Sequence, residues 1–159
     1  MNPVRVVLAT LLATWAALAH AGEARGTLTL AGTTVELKAA TALTIQSGGE
    51  PITLVLLSEK PIDLKAALAT DDPYLTLIND PVLDGVTHAA VFVSSKRTSI
   101  NAHKAGDSTQ YLASRKFGLD ATVSGGDGTP VKGRLRSTDK EMSVQIDAEF
   151  GTDIAKPGA

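Results

Sequence analysis

Apolar and polar residues alternate with a period of two along most of this chain, the mark of strands that bury one face and solvate the other. TLTL (27–30) and TVEL (34–37) place Leu28, Leu30, Val35 and Leu37 on one face, with Thr27, Thr29, Glu36 and Lys38 on the other. Setting Ala31 against Thr34 predicts a two-residue Gly32-Thr33 turn of type II′, with the positive φ at glycine. The second strand is expected to run through AATALTI to Ile45, followed by a turn in QSGGEP.

ITLVLLS (52–58) is apolar nearly throughout, as expected of a strand buried on both faces near the centre of a sheet. The flanking Gly-Gly-Glu-Pro and Glu-Lys-Pro favour strand over buried helix. The stretch from 63 to 83 breaks the period. Asp63 is placed to cap a helix over Leu64 to Ala69, and Asp72-Pro73 can start another turn. YLTLI (74–78) suits either strand or helix, so the segment is expected to be a mostly non-β, helical excursion.

The C-terminal half returns to strands: LDATVS (119–124), VKGRLRS (131–137) and MSVQIDAEF (142–150), the last with Met142, Val144, Ile146, Ala148 and Phe150 inward. A two-residue turn at Asp139-Lys140 pairs Leu135 with Val144 inside and Lys132 with Asp147 outside. Acidic neighbours then answer the basic run Lys132, Arg134, Arg136, which reads as a solvated face rather than an anion site. A polar tail is expected from about 151. The whole is an all-β chain: a single antiparallel β-sandwich or partly closed barrel of about eight or nine strands.

HAAVFVSSKRTSINAH (88–103) reads as a hairpin with its loop at Ser94 to Arg97. Its register sets Val93 against Thr98, Val91 against Ile100, Ala89 against Ala102, and His88 against His103. Opposed Cβ atoms lie about 4.5–5.5 Å apart, close enough for two imidazoles to share a divalent ion such as Zn²⁺ or Cu²⁺. His88 and His103 are therefore the candidate metal ligands, although no motif brings Asp84 or Asp107 beside them as a third. Phe92 and Ala90 fall on the otherwise polar face of this hairpin, so something must cover it: the 63–83 excursion or a partner.

The first residues change the picture. Arg5 precedes an apolar run from Val6 to Leu18, and Ala19-His20-Ala21 is a small-x-small cleavage site, with Ala17-Leu18-Ala19 as a rival. The run reaches roughly 20 Å, short of the roughly 30 Å hydrocarbon core. Residues 1–21 are expected to be a cleaved secretory signal, leaving 22–159 as one domain without a membrane anchor, periplasmic or secreted. The chain has no cysteine, so the fold must rest on its core rather than on disulfides. It carries 15 basic and 17 acidic residues, and losing Arg5 with the leader moves the net charge from −2 to −3. Nucleic acid is not an expected partner.

The opening GTLTLAGTTVELKAATAL, followed by VLLSEKPIDL, resembles a group of small exported bacterial β-sandwich proteins with no assigned function. The likeness covers the first third of the mature chain. It implies export and a β fold and carries over no site residue.

Catalytic motifs are missing: no nucleophile elbow, HExxH, P-loop or dinucleotide fingerprint occurs. Ser99, His103 and Asp107 have the residue types of a triad but no motif around them. SGGDGTP has one acidic residue and reads as a turn rather than a calcium loop. Asp71-Asp72, Asp147 and Glu149 read as solvated carboxylates. The function expected is a non-enzymatic exported module that binds a protein, a surface component or a small ligand. The alternatives are periplasmic metal binding through the histidine pair and a small exported hydrolase.

Overall fold

A computed structural model describes residues 22–126 and 128–156. The expected signal peptide lies outside these residues. The fold is all-β: β1 (Gly22–Leu30), β2 (Thr33–Ser47), β3 (Glu50–Ser58), β4 (His88–Val93), β5 (Thr98–His103), β6 (Gln110–Ser114), β7 (Leu119–Gly126), β8 (Thr129–Ser137), β9 (Val144–Thr152) and β10 (Ile154–Ala155). The short helices α1 (Lys65–Leu68), α2 (Pro73–Ile78) and α3 (Pro81–Asp84) interrupt the strands between β3 and β4. One sheet runs in the order β6-β5-β4-β3-β2-β1-β9-β8-β7 with antiparallel neighbours, and curls into a nearly closed barrel. Its open seam lies between β6 and β7, which a single 3₁₀ turn at Arg115–Phe117 connects.

Two apolar clusters lie on opposite faces of this sheet. Leu28, Leu30, Val55, Val91, Ile100, Leu135 and Ile146 belong to the barrel interior. Leu43, Ile45, Leu54, Leu56 and Ala90 pack outside it against Leu64, Leu77 and Leu83 of the helical excursion. This is why ITLVLLS lacks alternation: Val55 and Leu57 serve the interior while Leu54 and Leu56 serve the outer cluster. In β2 the inward set changes from Val35 and Leu37 to Ala40 and Ala42, which frees Leu43 and Ile45 for the outer face. The change coincides with a β-bulge between Glu23 and Gly26 of β1. Gly26 sits there at φ 138°, where a Cβ would come within 2.0 Å of the Asp147 carbonyl oxygen.

Three details differ from the sequence reading. The first hairpin turns at Ala31-Gly32, not Gly32-Thr33, with Leu28 opposite Val35. Ala31 has φ 47° and Gly32 φ 80°, so both central residues are left-handed, as in a type I′ turn. Between β8 and β9 the loop spans 138–143, which moves Leu135 opposite Ala148 and Lys132 opposite Gly151. Arg134 nonetheless meets acidic partners, hydrogen-bonding Glu149 and lying 3.8 Å from Asp147. The expected polar tail from about 151 is ordered instead: β9 continues to Thr152, and Ala155 is buried where β10 pairs with β2 in parallel.

Candidate functional site

The hairpin of β4 and β5 has the register its sequence implies: Val93 faces Thr98, Val91 faces Ile100, Ala89 faces Ala102, and His88 faces His103. Its loop holds that register locally. Ser94 N–H donates to the Arg97 carbonyl at 3.0 Å, and Ser94 Oγ accepts from the backbone N–H groups of Lys96 and Arg97. On the inner face Ala89, Val91, Ile100 and Ala102 join the barrel core. The outer face presents His88, Ala90 and Phe92 from β4, with His103, Asn101 and Ser99 opposite them on β5.

The 63–83 excursion covers this outer face. Its helices have four to six residues, too short to be stable alone. Asp72 and Asp80 cap α2 and α3. Asp63 stands one residue before Leu64, the N-cap of α1, and not at the cap its sequence position suggested, because the helix begins only at Lys65. Asp63 Oδ1 accepts from Lys65 N–H at 2.8 Å, Asp72 Oδ1 from Leu75 N–H at 2.9 Å, and Asp80 Oδ1 from Val82 N–H at 2.9 Å. Pro73 and Pro81 follow Asp72 and Asp80 and suit the first helical turn. Leu77 and Leu83 then seat against Leu54 and Leu56, each burial stabilising by about 1.5–3 kcal/mol before ordering costs. Tyr74 meets Phe92 edge-on, ring centroids 5.8 Å apart.

The cover leaves a cleft of about 180 Å³. Its apolar wall is Leu54, Leu56, Leu77, Ala90 and Phe92; its polar end is His88, Asn101, His103 and Gln110, with Asp84, Lys104 and Asp107 alongside. Ile78, half exposed at 53%, stands in its lining. The loop after β5 is tied to the end of α3, because Gly106 N–H donates to the Asp84 carbonyl at 2.9 Å. Ala105 N–H donates to Thr87 Oγ1 at 3.1 Å, which draws this loop toward β4.

His88 is 4% exposed, and its Nδ1 lies 2.7 Å from the Val86 carbonyl oxygen. A carbonyl only accepts, so Nδ1 carries the proton and Nε2 keeps its lone pair. Burial lowers the pKa of His88 from its ordinary 6.5, and the neighbouring His103 adds to the effect; the Val86 carbonyl and Asp84 pull the other way. Asn101 Nδ2 donates to Gln110 Oε1 at 3.3 Å, while Asn101 Oδ1 is buried and has no partner among the described residues. Asp107 is held below the usual carboxylate range, chiefly by the Thr109 N–H, with Tyr111 O–H donating to its Oδ2 at 3.2 Å.

The two histidines therefore meet, with ring centroids 5.3 Å apart and planes 14° from parallel. Lone pairs of imidazole lie in the ring plane, so stacked rings direct them side by side rather than at one point. Among the described residues no group of three or more His, Cys, Asp or Glu is placed to hold a metal. A divalent ion between His88 and His103 would have two protein ligands and require a ring to turn. Ser99 stands opposite Phe92, four positions along β5 from His103, which is about 13 Å of strand and beyond a proton transfer.

Asp72 is a helix cap and Asp147 and Glu149 flank Arg134, so these carboxylates have structural partners. Asn101, Gln110 and Tyr74 were not signalled by any motif. Only the oddity of Ala90 and Phe92 on a polar face pointed toward their neighbourhood. Comparison with protein-family models, curated proteins and solved structures finds no match to this chain.

Proposed function

We propose that this protein is an exported, non-enzymatic binding module whose ligand site is the cleft between the outer face of β3–β6 and helices α2 and α3. The observation that carries this reading is a covered sheet face that remains incompletely filled. Leu54, Leu56, Leu77 and Phe92 supply apolar surface, and two acceptors, His88 Nε2 and Asn101 Oδ1, have no protein hydrogen bond among the described residues. Small-molecule sites have this composition: mostly apolar walls with a few placed polar groups. Export rests on the leader pattern in residues 1–21.

The test is a screen of small ring-containing fragments followed by amide chemical shifts. Shifts are expected at Leu54, Leu56, Ala90, Asn101 and Leu77, and should vanish in Ala90→Phe, whose added ring fills the cleft. Fragments that bind elsewhere, or that bind Ala90→Phe unchanged, would remove the cleft as the site, as would a screen without any hit.

A further inference from the structure

The cleft also constrains the chemistry of its occupant, an inference that rests on the cleft being the binding site. Its volume, about 180 Å³, is close to that of an apolar cavity of about 150 Å³ that takes one benzene. The part of the occupant seated in the cleft is thus about one ring. Tyr74 and Phe92, packed edge to face, line the cleft and suit an aromatic neighbour.

The polar end carries donors on Asn101, Gln110, His103 and Lys104, but its unpartnered groups on the described residues include two acceptors, one on the buried ring of His88 and one at buried Asn101 Oδ1. His88 Nδ1 spends its proton on the Val86 carbonyl and leaves Nε2 as an acceptor. Asn101 spends an N–H on Gln110 and leaves Oδ1 as an acceptor. His88 opposes His103 and Asn101 opposes Ala90, so the two acceptors are diagonal neighbours on adjacent strands, with Cβ atoms somewhat under about 7–8 Å apart. A single 3.3 Å bond is the hydrogen bond seen holding the Asn101 amide, so a modest turn can aim Oδ1 at a donor. Such a pair is matched by a ligand that donates, and an unmatched ligand leaves both desolvated. Of the charged side chains around the cleft, two are carboxylates, Asp84 and Asp107, and one is an ammonium, Lys104. That balance disfavours an anion.

We propose that the cleft binds a neutral single-ring aromatic donor of the phenol class, its hydroxyl directed at His88 Nε2 and Asn101 Oδ1 and its ring against Leu54, Leu56 and Phe92. Binding is non-covalent and involves no group transfer.

Isothermal titration of the purified protein with phenol, toluene and benzoate separates the alternatives. Phenol is expected to bind about tenfold more tightly than toluene, the worth of a well-made hydrogen bond at a desolvated acceptor, and benzoate more weakly than either. Asn101→Leu and His88→Phe should each bring phenol toward the toluene level while leaving toluene within about twofold. The two variants act on separate partners, so a folding defect in one leaves the other as the test. Equal binding of phenol and toluene, or preferred binding of benzoate, overturns the donor assignment while the cleft stands as a site. Binding of all three probes unchanged in Ala90→Phe, or of none to the wild type, overturns the cleft itself.

Discussion

His88 and His103 face each other across β4 and β5 with their rings stacked, and His88 donates its Nδ1 proton to the Val86 carbonyl. Burial holds His88 neutral below its ordinary 6.5. The unfolded chain protonates at that ordinary value, the folded chain only at lower pH. Stability from neutral His88 is therefore complete above about 6.5 and is lost as the pH falls through the folded value. Of the groups facing the ring, His103 on β5 reinforces this, while Asp84 on α3 offsets part of it. Lys104 and Asp107 line the same cleft. Urea denaturation at about pH 7.5 and about pH 5.5 should show lower stability at the acid value and a smaller difference in His88→Phe. An equal difference in both proteins would remove His88 as the cause.

Zinc should leave the melting temperature nearly unchanged, because the stacked rings do not aim their lone pairs at one ion. Differential scanning calorimetry with and without excess Zn²⁺ checks this. A rise of several degrees that disappears in His88→Ala and His103→Ala would establish the metal site that the histidine spacing suggests.

Gly26→Ala should destabilise the protein by at least about 2 kcal/mol, since the new Cβ meets backbone at a positive φ. Gly85→Ala is the control, because space around Gly85 is open and its φ is −88°. Denaturant midpoints that fall equally in the two variants would contradict the bulge as the device that resets β2.

Asp72→Ala removes the cap of α2 and should cost about 0.5–2 kcal/mol. The loss is expected to be local: amide exchange should quicken across 74–78 and leave β8 and β9 unchanged. Uniform acceleration would mean that the cover and the barrel open as one unit.

The β4–β5 register was legible because the apolar alternation and the Ser94–Arg97 loop agree on one pairing. Elsewhere the faces were readable and the partners were not. Shifting β9 by four residues along β8, or β2 by two along β1, keeps Leu135 or Leu28 inward, so period-two alternation cannot choose among even shifts. Ala31 misled because a positive φ is ordinarily assigned to glycine. The cleft was legible only as a question raised by Ala90 and Phe92. Its answer depends on Leu77 and Leu83 packing on Leu54 and Leu56, a long-range contact of short helices that local propensity does not specify.

Export has its own check. The mature protein is expected to begin at Gly22 or within two residues of it, and N-terminal sequencing of protein recovered outside the cytoplasm reads that directly. Recovery of Met1 on membrane-bound protein would contradict a cleaved leader.

A crystal structure of the protein grown with saturating phenol bears most directly on the cleft. The ring is predicted between Leu54, Leu56 and Phe92, with its oxygen about 2.7–3.2 Å from His88 Nε2 or Asn101 Oδ1. Phenol seated elsewhere, or a cleft closed by Ile78 and Tyr74 with no ligand in it, would contradict the account.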